Sequence, residues 1–167
     1  MNAAHLHLLI NHLPIIGSAL GGFVLAYGLY TKSMHARLAG FYLLIIASVG
    51  GVIAYFSGEA AEDIMEHTDA MHQAIEAHED FAVVALAALV VSGIAAVAGL
   101  IFTKRHSGKA PAISFVALLL ALLSFTVAGY TGLLGGKIMH PETSGSTLNN
   151  KSEKPTETGE HDHEHDH

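Results

Sequence analysis

The sequence predicts an all-α membrane protein, a bundle of four transmembrane helices. Three observations carry this reading. Mean hydropathy is +0.43 over 167 residues, high for a chain that lives in water. Four apolar runs, 13–30, 38–57, 81–103 and 113–136, approach or exceed the about 20 residues that a bilayer crossing needs. None of the four contains a Lys, Arg, Asp or Glu, whereas a soluble helix must turn a polar face to solvent.

The first run opens at Asn11-His12-Leu13-Pro14. Asn is a good helix N-cap, and Pro is tolerated in a first turn, where its missing amide has no partner to lose. Residues 1–10 could continue as an interfacial helix. A short loop, 31–37, joins spans one and two, and the second span ends near Ser57-Gly58. Segment 59–80 is polar but holds neither Pro nor Gly, which predicts an amphipathic interfacial helix between spans two and three. Span three follows without a clear break, then a loop at 104–111, then span four. From Pro141 the composition turns to Ser, Thr, Glu, Lys and Asn, too polar to bury a core. The expected organisation is therefore a membrane domain, 1–140, and a disordered tail, 141–167, rich in His and acid.

Two Gly-x-x-x-Gly pairs, Gly17/Gly21 and Gly132/Gly136, lie within the spans. Small residues at this spacing let helix backbones approach in lipid, so tight bundle packing or a homo-oligomer seam is the expected use. Room for a flat cofactor is the lesser alternative.

Charge sets the orientation. All fifteen acids lie between Glu59 and Asp80 or from Glu142 onward, while Lys32, Arg37, Lys104, Arg105 and Lys109 sit in the two short loops. Basic loops stay on the cytoplasmic side, so both termini and segment 59–80 are expected in the periplasm of a bacterial inner membrane. The first thirty residues lack the positive start of a signal peptide. With no cysteine, disulfides, Cys-based zinc sites and thiolate catalysis are excluded. No phosphate loop, nucleophile–base arrangement or nucleic-acid surface is visible.

Eleven of the thirteen histidines fall on the side opposite the basic loops. Up-and-down topology brings helix ends that are far apart in sequence to one level. His12, His78 and His140 stand at three span ends, closest to the apolar boundary, where ionisable groups are costly unless they serve a function. They are the expected cofactor ligands. His5, His7 and His72, with Glu59, Glu62 and Glu79, are further metal-ligand candidates, since carboxylates beside imidazoles complete or orient a ligand set. Helical spacing puts His5 with His12 on one face, and His67 with Met71 and His78 on another. Taken singly, His5, His7, His67 and His72 are what a solvated face carries. The alternating His and acid of 161–167 could bind metal weakly whatever the rest does.

The opening His7…Asn11-His12-Leu13-Pro14-Ile15 and the closing Gly132-Leu133-Leu134-Gly135-Gly136-Lys137-Ile138-Met139-His140 resemble an uncharacterised bacterial four-helix membrane family, known only as a domain of unknown function. The resemblance covers roughly residues 4–140 and rests on a His-x-Pro at His12 and Pro14 and a Gly-Gly…His at Gly135, Gly136 and His140. It implies a redox setting, because relatives occur joined to or near Rieske or cytochrome c modules. Here Pro141 follows His140 where that family has Gly, and the acidic segment and His-rich tail are elaborations.

The functional expectation is a membrane metalloprotein with a His/Glu-rich centre at the periplasmic face. The centre is either b-type haem or a non-haem transition metal (Fe, Cu or Zn), in electron transfer between quinol in the bilayer and a periplasmic carrier. Haem ligands usually lie deeper in their spans, which favours the bare metal. The alternatives are metal handling without redox chemistry and a non-catalytic accessory subunit of a membrane complex. Transport is weakly supported, since no charge sits mid-membrane and no span is visibly broken.

Overall fold

The computed structural model describes residues 3–62 and 69–139. The chain forms α1 (Ala3–Ile10), α2 (His12–Tyr30), α3 (Met34–Glu62), α4 (Asp69–Lys104) and α5 (Ala110–Met139), with no strand among the described residues. Four helices are long and apolar enough to cross a membrane: His5–Tyr30, Met34–Ala61, Ala74–Lys104 and Ala110–Ile138. The expected spans all lie inside them. At about 1.5 Å per residue, the 29 residues of α3 exceed the about 30 Å of hydrocarbon, so its ends stand in the interface.

Helices α2 to α5 run up and down around a square: α2 packs on α3 and α5, and α4 packs on α3 and α5. Helix α1 lies mainly against α3. The packing is inside-out by the standards of a soluble protein. Its buried positions are mostly small, among them Ala47, Ala54, Ala85, Ala96, Ala117, Ala121 and Ala128, with Leu25, Phe41 and Leu44 the largest fully buried apolar side chains. Large ones point outward, Phe23 and Leu133 at 73 % and 67 % exposure. Lipid tails solvate leucine as well as a core does, so membrane helices associate through small residues instead. Several buried hydroxyls turn back on their own helix, Ser18 Oγ donating to the Pro14 carbonyl at 2.6 Å and Ser114 Oγ to that of Ala110 at 2.7 Å.

Three sequence expectations change in detail. Asn11 is not an N-cap: it is helical (φ −60°, ψ −24°), makes no side-chain cap, and its amide bonds the His7 carbonyl at 2.9 Å. Helix α1 therefore leads almost directly into α2. The described parts of segment 59–80 extend the flanking spans, Glu59–Glu62 closing α3 and Asp69 onward opening α4; residues 63–68 lie outside the described residues, as does the tail. The two glycine pairs also part company. Gly17 and Gly21 are buried, a Cβ on either meeting Ala47 Cβ or Leu44 Cδ2 at 2.8 Å, so this pair seats α2 on α3. Gly132 is exposed but faces α2, a Cβ there coming 3.0 Å from Ile15 Cδ1, whereas one at Gly136 would meet nothing within 4 Å.

The molecule reads as two hairpins of one design, α1–α3 and α4–α5. Each starts at the histidine-bearing end and turns back through a short basic loop. Each loop holds one residue in the left-handed region, Lys32 (φ 55°) and His106 (φ 50°), whose amides bond the carbonyl three residues back.

Candidate metal or haem centre at the histidine-bearing end

His7 is half-buried on α1, and its Nδ1 lies 2.9 Å from the Ala54 carbonyl of α3. His78 is half-buried on α4, and its Nδ1 lies 3.0 Å from the Thr131 carbonyl of α5. A carbonyl only accepts, so in both rings Nδ1 carries the proton and Nε2 keeps its lone pair. This is the tautomer of a histidine that ligates metal through Nε2, with its other ring nitrogen held by a backbone carbonyl.

The two contacts share one construction. In a helix, the carbonyl of residue i already accepts from the amide of i+4 and is sheltered by the side chain there. Four residues after Ala54 stands Gly58, and four after Thr131 stands Gly135. The missing side chains leave a notch into which the imidazole settles. A Cβ at Gly58 would lie 3.1 Å from His7 Cε1, and one at Gly135 would lie 3.1 Å from His78 Cε1. Ser57 adds to the first notch, its Oγ donating to the Ala54 carbonyl at 3.0 Å and standing 3.4 Å from His7 Nδ1. Thr131 closes the second differently, its Oγ1 donating to the Val127 carbonyl at 3.0 Å. His7 on α1 and His78 on α4 stand at the same end of the bundle, one on each hairpin.

Other polar and aromatic groups lie at the same end of the bundle. Asn11, one helical turn beyond His7, has its side-chain Oδ1 buried without a partner. Tyr55 and Glu59 stand one helical turn apart on α3, with Glu79 on α4 at the same end of the bundle. Phe81 packs edge-on to Tyr130 with ring centroids 4.7 Å apart, tying the start of α4 to α5.

Of the candidates named from sequence, the structure holds His7 and His78 each against a neighbouring helix, with Glu59 on α3 and Glu79 on α4 at the same end of the bundle. His5 and His12 are exposed. His67 and His140 lie outside the described residues, and Glu62 and His72 are fixed only as backbone positions near the end of α3 and the start of α4. Among the described residues no group of three or more His, Asp or Glu side chains is gathered as a metal site. The sequence ranked His7 below His12, and the signal that could have corrected this was the pair of glycines, Gly58 and Gly135, each near a span end. As to cofactor chemistry, an imidazole Nε2 is a ligand type that both haem iron and other transition metals take. A four-coordinate metal would need further donors beyond the pair.

Comparison with protein families, with curated proteins and with solved structures finds no match. The resemblance seen in the opening and closing motifs rests on those motifs alone.

Proposed function

We propose that the chain is an integral membrane metalloprotein whose centre, b-type haem or a non-haem transition metal, lies at the histidine-bearing end and serves electron transfer. What supports this is a single observation: His7 and His78, one from each hairpin, both have Nδ1 occupied by a backbone carbonyl and Nε2 left over. A structural histidine at a helix end can use either nitrogen. Two that use the same nitrogen, on carbonyls opened by glycine in the same way, are arranged for what Nε2 does. At the periplasmic edge of a bilayer, such a centre would meet quinol from the membrane side and a soluble carrier from the other.

The test is the visible spectrum and metal content of the full-length protein purified in detergent, as isolated and after reduction. A Soret band that shifts on reduction is expected for haem, and stoichiometric metal without one for a bare centre. His7→Ala and His78→Ala should each remove most of the cofactor, whereas His12→Ala should leave it in place. Full content in both the His7 and His78 variants would dismiss the pair as ligands. Metal that binds but does not change oxidation state would point to metal handling, a reading favoured by the alternating His and acid of 161–167.

A further inference from the structure

The opposite end of the bundle holds a second polar feature, independent of the histidine pair. An open cleft of about 230 Å³ lies between the start of α3, the end of α4 and the start of α5, lined among others by Arg37, Thr103, His106, Ser107 and Ala110. Thr103 is 2 % exposed, yet its Oγ1 has no hydrogen-bond partner, and Nε of Arg37 is also shut from solvent without one. Asn11 Oδ1, Ser92 Oγ and Ser124 Oγ are likewise unpartnered, but Arg37 and Thr103 are the two such residues that line one cleft, and a buried polar group left unmade costs about 1–3 kcal/mol.

The sequence holds nothing that could satisfy them with negative charge. It has no Asp or Glu from residue 1 to 58 or from 81 to 141, and the acids of 59–80 belong to the far end of α3 and α4. Around the cleft every charge is of one sign: Arg37 within it, and Lys32, Lys104, Arg105 and Lys109 on the adjoining loops. Two helix N-termini open beside it, α3 at Met34 and α5 at Ala110, against one C-terminus, that of α4 at Lys104, so positive dipole ends outnumber the negative.

We infer that this cleft binds a phosphate group, held by the Arg37 guanidinium and the Thr103 hydroxyl between the starts of α3 and α5. Arg matches phosphate oxygens as a fork, and a hydroxyl completes the set. The phosphate can belong to an anionic lipid headgroup, which stands at this depth beside the helix ends, or be free in solution; the chemistry at the cleft is the same.

Full-length protein in non-ionic detergent is titrated with sodium phosphate at constant ionic strength, with chloride as the reference. In parallel it is titrated with short-chain phosphatidylglycerol, with the matching diacylglycerol as reference. Saturable binding of phosphatidylglycerol but not phosphate identifies a lipid site; binding of both identifies a site open to free phosphate. In either case Arg37→Gln and Thr103→Val each weaken binding about tenfold or more, as the loss of a hydrogen bond to a charged group does, and Thr103→Ser retains it. Circular dichroism checks that helicity is unchanged; if the Arg37 variant does not fold, the Thr103 pair decides. Binding no tighter than the reference ligands, or Thr103→Val binding like wild type, overturns the inference.

Discussion

At the scale of the residue, the notch under each imidazole makes the most specific demand. Gly58→Ala and Gly135→Ala each introduce a Cβ 3.1 Å from Cε1 of the adjacent ring. Alanine is the better helix former by about 1 kcal/mol, so propensity alone would stabilise both variants. The expected outcome is the reverse for the cofactor: occupancy falls at least several-fold with helicity retained, measured by metal or haem content per protein. Variants that bind as well as wild type would show that the rings tolerate displacement and that the notch is only packing. Acid should act on the same atoms, because a proton on Nε2 competes with metal for the one lone pair. Lowering pH should therefore release the cofactor, followed by spectrum or by metal retained after desalting, and raising it again should restore binding.

At the scale of the element, glycine marks where helix backbones touch. A Cβ at Gly28 would lie 2.6 Å from the amide nitrogen of Arg37, and one at Gly40 would lie 2.9 Å from that of Leu25. A backbone atom cannot rotate away as a side-chain tip can, so α2 and α3 would have to separate. Gly28→Ala and Gly40→Ala should each lower stability by about 1–3 kcal/mol, the usual cost of overpacking, read as a lower unfolding midpoint in detergent. Gly129→Ala is the control: nothing lies within 4 Å of its Cβ, and the variant should match or slightly exceed wild type. The helices themselves were legible in the sequence, since each is an apolar run long enough to span. Their ends were not. The polar stretches beside Ser57-Gly58 and before Phe81 read as a separate interfacial helix, because an uninterrupted polar run looks the same whether it lies along a membrane or projects beyond it.

At the scale of the whole molecule, charge separates the two ends, with basic loops at one and His5, His7, His12 and His78 with Glu59, Glu76, Glu79 and Asp80 at the other. The absence of cysteine makes this separation directly measurable. Single cysteines at Lys109 and at Glu76, both exposed, should label oppositely with a membrane-impermeant maleimide in intact spheroplasts. Glu76→Cys is expected to react and Lys109→Cys to be protected until the membrane is opened. The opposite pattern would invert the orientation and move the histidine pair to the cytoplasm. The repeated hairpin has a consequence at this scale too. Because each hairpin supplies one imidazole, a centre bound by both would link the hairpins, and removing the cofactor should lower the midpoint of unfolding of the whole bundle.

The sequence by itself determined the number of membrane-spanning helices and the apolar core of each, because these follow from hydropathy and from the cost of charge in lipid, both local properties of the chain. It also made the small residues of the interior readable as contacts, since lipid removes any reason to bury large ones. What only the tertiary structure decided is which histidines are held against a neighbouring helix. His12 stood closest to a span and is exposed, whereas His7, one of several that a solvated face would explain, is held against α3. That choice depends on which carbonyl lies open on the neighbouring helix, and thus on a glycine some fifty residues away, Gly58 for His7 and Gly135 for His78. The same limit applied at the basic end, where Arg37 and Thr103 are far apart in sequence and become partners in one cleft only when α3 and α4 lie side by side.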